Sequence, residues 1–444
     1  MKVSLLRGMV LGVGGMLLAA GLAGCGGGNA AKQNGATDNA AAGEQKEAPK
    51  PVTVTLFAKT PIPEEDFQTY FVKPGKAKYP HVTIEKIDQT KEVTIENLLA
   101  SGQVPDLIWD GLTNILTLTV LDVPRDMTEL AKKYKFDFNK FDPGLLSAVR
   151  ANSTKGELLY FPYTRLVFGT HYNKSLFDKF GVAYPKNNMT WDEMIQLGKR
   201  MNVVDGSVQY QGINTAHMNR MAAQMSLSFV DPKTSKPLVQ NEGWRKFFEL
   251  NKLMFDNPGG NALKFMGGRD QFLKEQTLAM YPDIFLLGNA DLDNATKNGL
   301  NWDVATYPVV TGKPGITVGG FADGFTMPKG SKHPDEAFQL LMEFVSEGAQ
   351  LEATKKGKIS ALNNRELLSH AYEDTPLSKG KNIAALLEHK LADPYMITEY
   401  DRSIMNVYNK YLSQYATGKK DLNTSLREAE EESNKTIADM QRQK

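Results

Sequence analysis

The chain has 444 residues, and its 52 Lys and Arg nearly balance 51 Asp and Glu, leaving a formal charge of +1 with histidine neutral. That balance supplies no basic face for nucleic acid. One cysteine excludes a disulfide framework, and with six scattered histidines it argues against a zinc site, so neither metal nor cofactor is expected.

Lys2 and Arg7 precede an apolar run from Met9 to Leu22. The run is shorter than the roughly 20 residues a bilayer span requires, so residues 1–24 read as an export signal peptide. The run ends in Leu22-Ala23-Gly24-Cys25, which resembles the lipobox of bacterial lipoproteins. The resemblance implies a lipidated Cys25, carrying palmitate-like chains, that anchors the protein to the outer face of the cell membrane. The bland alternative is a buried free thiol. Residues 25–50, rich in Gly, Ala, Asn, Gln, Lys and Glu, lack the apolar periodicity of a core and read as a flexible tether. Signal removal takes Lys2 and Arg7 with it and shifts the formal charge to −1.

From Pro51 nearly 400 residues of ordinary composition remain, too many for one core. Val52–Ala58 and His81–Ile87 alternate as strands, and Glu64–Lys73 between them predicts a helix that stops at Pro74-Gly75. Thr94–Ser101 predicts a helix, and Pro105–Trp109 a strand running into Asp110-Gly111. This strand–helix alternation predicts an α/β fold with a parallel sheet. Thr190-Trp191-Asp192-Glu193 has the form of a capping box. Trp244–Phe255 reads as a helix ending at Asn257-Pro258-Gly259-Gly260. Thr277–Tyr281 and Trp302–Tyr307 read as short strands. Helices are expected over Asp335–Ser346, Leu391–Ala416 and Leu422–Met440. Trp191 and Trp244 read as helix-face core.

No HExxH, G-x-S-x-G or phosphate-loop motif occurs. Asp291-Leu292-Asp293-Asn294 starts like a calcium loop, but Thr296 replaces the required Gly and Trp302 the required Glu. Carboxylates are plentiful enough for a glycosidase pair. A lipid-anchored glycoside hydrolase or lyase is therefore the rival to a binding protein.

The tract Leu158–Gly181, containing Leu159-Tyr160-Phe161-Pro162 and Tyr172-Asn173-Lys174-Ser175-Leu176-Phe177, is similar to extracellular solute-binding proteins of the sugar-binding, maltose-binding class. Pro105–Asp110, Thr190–Glu193, Gln276–Asp283, Gly319–Ala337 and the tail Tyr411–Ile437 extend the resemblance in the right order. Ser175 reads as an N-cap and Pro334 as an early helical residue. The resemblance implies a non-enzymatic, two-lobed, monomeric protein with a hinge of several crossings. It would capture a small-molecule ligand, a sugar or oligosaccharide, and deliver it to the permease subunits of an ABC importer. The same fold tuned to a non-sugar solute stays open. Three crossings are implied, near Thr164–Phe168, Leu286–Asn289 and Gly320–Gly324, with Gly169, Gly288, Gly320 and Gly324 able to absorb hinge closure. The lobes are then expected as 51–164 with 289–320, and 168–286 with 324–444.

A sugar site combines aromatic rings for C–H faces with polar side chains for hydroxyls. Trp109 and Asp110, at the end of a parallel strand, are candidates as platform and acceptor; the alternative is core for Trp109 and a turn cap for Asp110. Tyr163 and Arg165 flank the first crossing, Arg165 with an inter-lobe ion pair as its structural alternative. Tyr281, Asp283 and Phe285 precede the second, where the family often carries an aromatic; Phe285 stands where Trp is frequent. Gly320 and Phe321 border the third. Phe57, Lys59, His217 and Arg365 are further candidates, with His217 equally a structural histidine.

Overall fold

The computed structural model describes residues 49–153, 155–257 and 262–442. The expected signal peptide, Cys25 and all but residues 49–50 of the expected tether lie outside the described residues. Among the described residues no helix is long and apolar enough to cross a membrane, and no group of His, Cys, Asp and Glu is arranged to hold a metal ion.

Two sheets organise the chain. The first contains β1 (Val52–Ala58), β2 (Val82–Asp88), β3 (Leu107–Gly111) and β4 (Phe161–Arg165), and the second opens with β5 (Phe168–Asn173), β6 (Gln211–Ile213), β7 (Leu278–Ile284) and β8 (Trp302–Thr306). A later strand, β9 (Ala322–Thr326), returns to the first sheet. The first sheet runs β2-β1-β3-β9-β4 and the second β8-β5-β7-β6. β1 pairs in parallel with β2 and β3, as the strand–helix alternation predicts, whereas β9 inserts antiparallel between β3 and β4. Each sheet is covered on both faces. The first lies between a cluster built on Leu56, Trp109 and Phe325 and one built on Phe57, Ile108 and Leu118. The second lies between a cluster around Trp191, Trp244 and Tyr408 and one around Tyr281, Phe285 and Trp302.

Seven helices position the site: α1 (Ile115–Val120), α2 (Pro143–Ala151), α3 (Met218–Gln224), α4 (Glu242–Phe255), α5 (Pro334–Phe344), α6 (Asp401–Ala416) and α7 (Leu422–Arg442). The capping box at Thr190 forms, with the Glu193 carboxylate returning to the Thr190 N–H at 2.8 Å. Pro334 opens α5.

The expectations fail at particular places. The first helix does not stop at Pro74. A wide π turn over Gln68–Val72 runs directly into an α segment over Lys73–Lys78, and the local widening of the helix just before Pro74 carries the chain past it. Gly75 is needed there because a Cβ would lie 2.9 Å from the Leu340 side chain. The helix expected from Leu391 begins only at Asp401; Pro394 disfavours helix in the residue before it, and the segment runs as a loop. Asn173, not Ser175, is the N-cap of the helix Lys174–Phe180.

The lobe boundaries also need correction. Residues 289–320 were expected with the first lobe, yet β8 pairs with β5 in the second sheet. The crossing expected near Leu286–Asn289 is absent, because Leu286, Leu287 and Leu292 all stay in the second half's core. Residues 324–444 were expected together with the second lobe, yet β9 and α5 belong to the first, with Phe325, Ala337, Leu341 and Phe344 in its core. The chain passes from β4 to β5 through Leu166 and Val167. It returns between Thr306 and Ala322, and leaves again between Leu367, in the first core, and Tyr372, in the second. A strand buried by its neighbours on both sides belongs to whichever sheet completes its hydrogen bonds, and short-range pattern does not carry that choice.

Candidate functional site

Between the halves lies an open groove of about 470 Å³. One wall is the α1 region of the first half, with Thr113, Asn114, Leu116, Thr117 and Val120. The other is the second half's Asn219 on α3 together with the segment Tyr395–Met405 leading into α6. Phe321 lies in its floor. A small recess of about 20 Å³ adjoins it, lined by Ala148 and Asn152 at the end of α2, Ala223, the crossing residues Gly319 to Phe321, and Tyr395.

Asp110 holds the first wall from behind. It is buried, its Oδ1 accepts from Thr60 Oγ1, the Gly111 N–H and Asn114 Nδ2 at 2.8–2.9 Å, and its Oδ2 pairs with Lys59 Nζ at 2.8 Å. Lys59 also donates to Thr117 Oγ1 at 3.0 Å. Asp110 and Lys59 thus place Asn114 and Thr117, and their own polar atoms are already used.

Several sequence candidates are core instead. Trp109 packs edge-on against Tyr163 and Phe325, and Tyr163 against Phe71, all within the first core. Phe57 is fully buried on the opposite face of that sheet. Phe285 stacks on His171 and meets Tyr372 in the second half's far core. For Trp109, Tyr163 and Phe57 strand alternation turned the ring into a covered face, whereas Phe285 follows the end of β7 and is taken into the core by the loop. Arg165 pairs with Asp142 Oδ2 at 3.2 Å, and Asp142 Oδ1 caps α2, so the structural alternative is the one realised, although both residues belong to the first half. Arg365 begins a short helix on a groove formed by Lys135, Lys140, Glu347 and Glu366, away from the interlobe floor.

The remaining candidates converge beside the floor. Asp283, 1 % exposed, accepts from Tyr281 OH at 2.8 Å, from the Ile284 N–H at 2.7 Å and from Arg220 Nε at 3.4 Å. The Arg220 guanidinium carbon lies 4.5 Å from the centroid of the Phe321 ring and 5.7 Å from that of Phe168. Phe321 in turn packs against Phe168 at 5.5 Å. His217 is exposed at the start of α3; desolvation, with Arg220 and Arg269 nearby, holds its imidazole below the ordinary value against the pull of Asp283. Gly319 permits the close approach of the crossing to the loop before α6, since a Cβ there would lie 2.1 Å from the Ala392 carbonyl oxygen. Gly320 adopts φ +79°.

Sequence reasoning missed Asn114, Asn219, Arg220, Tyr395 and Asp401. Tyr395 is half-buried, backed by Phe229, and shows the rest of its ring to the groove. Asp401 is 8 % exposed; Thr398 Oγ1 donates to its Oδ1 at 2.6 Å. Burial raises its carboxyl from the ordinary range to about 7, against the lowering effect of Thr398. Asp323, on β9, is raised to about 6 by burial and by Asp110, with Lys358 opposing. The one clue to the Tyr395–Asp401 segment was Pro394 interrupting an otherwise helical pattern.

The arrangement offers rings, amides, hydroxyls and carboxylates around a concave space. It is suited to holding a small polar molecule.

Residues 71–378 match the family described as bacterial extracellular solute-binding protein. The diacetylchitobiose binding protein NgcE of Streptomyces coelicolor is 25% identical over 275 residues; the match covers 57% of this chain and 57% of the relative. Among solved structures, an ABC substrate-binding protein from Listeria monocytogenes in complex with cycloalternan superposes with a TM-score of 0.68 at 20% identity, covering 88% of this chain and 100% of that one. The sugar-binding protein MalE from Xanthomonas citri superposes with a TM-score of 0.67 at 18% identity, covering 88% and 98%. These two likenesses establish the two-lobed fold. With the family match extending from the first half across both sheets, the chain belongs to the bacterial extracellular solute-binding proteins.

Proposed function

We propose that the protein captures a sugar or oligosaccharide in the groove between its halves and passes it, as a monomer, to the permease subunits of an ABC importer. The observation that carries the reading is the groove itself: Phe321 and Tyr395 offer aromatic faces, while Asn114, Thr117, Asn219 and Asp401 supply polar atoms at the same opening. C–H faces of a pyranose stack on such rings and its hydroxyls exchange hydrogen bonds with such side chains. The names of relatives add support, since one binds diacetylchitobiose and another was solved with cycloalternan. Export and lipidation at Cys25 would hold the binding domain beside its importer.

A ligand that binds only the folded protein raises its melting temperature by mass action. Diacetylchitobiose, mannobiose, mannotriose and cycloalternan, tested by thermal shift and calorimetry, form the decisive panel. At least one is expected to bind with a stoichiometry of one. Binding by none, with spermidine or a peptide binding instead, would reject the carbohydrate reading.

A further inference from the structure

Asp401 is a buried carboxylate held from one side, by the hydroxyl and the backbone of Thr398. Its Oδ1 accepts from Thr398 Oγ1 at 2.6 Å, while its Oδ2 is buried and has no hydrogen-bond partner within the protein. The residue lines the interlobe groove in the first turn of α6, beside Tyr395. A buried acceptor left unmade costs about 1–3 kcal/mol, and a chain keeps such a group when something else completes it.

The geometry points to Asp401 Oδ2 as the acceptor for a hydroxyl of a neutral, polyhydroxylated ligand, which makes this residue a specificity determinant of the groove. The inference rests on the carbohydrate reading and adds the atom that reads the sugar. A hydroxyl fits because the facing wall, Thr113, Asn114, Leu116 and Thr117, carries no charge.

The inference has a proton signature. The groups facing Asp401 are Tyr395 and Tyr408, each electrostatically coupled to it, with Glu399 and Arg402 lining the same wall and Arg220 acting on Tyr395. In the empty groove burial keeps Asp401 partly protonated near neutrality, its pKa raised to about 7. A hydroxyl donating to Oδ2 favours the ionised form, so binding drives the proton off. Ligand then binds more tightly as pH rises through about 7.

Calorimetry of the wild type with mannobiose, mannotriose and diacetylchitobiose, near pH 7 in phosphate and in Tris, counts the protons exchanged. Release of a fraction of a proton on binding is expected. Asp401→Asn keeps the shape and the Thr398 contact but has no titrating carboxyl. It should bind at least fivefold more weakly at pH 8, with the proton release gone and thermal unfolding confirming that it is folded. Wild-type binding without proton release, or a folded Asp401→Asn protein that binds within fivefold, would overturn the assignment. Failure of the wild type to bind any of the three sugars would instead remove the reading beneath it.

Discussion

Arg220 lies with its guanidinium carbon 4.5 Å from the centroid of the Phe321 ring, so a cation on α3 rests on the aromatic residue of the second crossing. The same side chain reaches Asp283 at the end of β7, at 3.4 Å. Helix, sheet and crossing therefore meet in one polar contact at the groove floor. Replacing Arg220 with Met keeps the apolar stem and leaves Asp283 buried with only Tyr281 and Ile284 as donors. We expect a loss of about 1–3 kcal/mol in denaturant unfolding, with most of it recovered in the double variant Arg220→Met, Asp283→Asn. Strict additivity of the two single changes would show that the pair is energetically idle.

Asp142 performs two tasks with one carboxylate. Oδ1 accepts the Gly144 and Leu145 N–H groups at the start of α2, and Oδ2 meets Arg165. Asp142→Asn retains the cap and loses the charge, whereas Asp142→Ala loses both and strands a buried guanidinium. The alanine variant should be the less stable of the two by about 1 kcal/mol, the ordinary worth of an N-cap. Equal melting points would place all of the effect on the ion pair.

The His171 ring is fully buried, with Nδ1 3.2 Å from the Tyr281 carbonyl oxygen and Nε2 3.2 Å from the Leu286 N–H. These partners require the neutral tautomer that donates from Nδ1 and accepts at Nε2. Burial pulls its pKa down from 6.5 to about 4. The folded state therefore binds the proton less readily than the unfolded chain. The stability this neutral ring contributes is complete above pH 6.5 and is lost as pH falls through about 4, on the order of 3 kcal/mol. The midpoint of urea unfolding should fall over that window. A His171→Phe variant should be weaker at neutral pH, with Leu286 deprived of its acceptor, and show a flatter acid profile. An unchanged profile would contradict the assignment.

Gly320 in the second crossing and Gly324 on β9 should fail for different reasons. Gly320 has φ +79° and nothing within 4 Å of a would-be Cβ, so alanine costs only backbone strain, about 1–2 kcal/mol, and asparagine costs less. At Gly324, beside the bulge between β9 and β4, a Cβ would stand 2.3 Å from the Phe161 carbonyl oxygen. There alanine and asparagine should be equally damaging. Matched thermal melts of the four variants distinguish strain from collision.

Tyr395→Ala should reduce sugar affinity about tenfold with little effect on unfolding, the usual scale of an aromatic contact. Trp109→Phe should do the reverse, costing stability and sparing affinity, because Trp109 belongs to the core. Comparable affinity losses in both would mean that Trp109 reaches the ligand.

The sequence by itself determined the class of the molecule and much of its local structure. The Thr190 capping box and the alternation of β1 and β2 are written in residues close along the chain, where propensity and pattern act. Only the tertiary structure decided which sheet receives β8 and β9, that Trp109 and Phe285 are taken into the cores, and that Asn219, Tyr395 and Asp401 share an opening with Asn114. Those outcomes depend on long-range strand pairing and on which face of a sheet a helix covers. A strand buried on both faces presents similar apolar side chains to either choice, so its own residues cannot carry the answer.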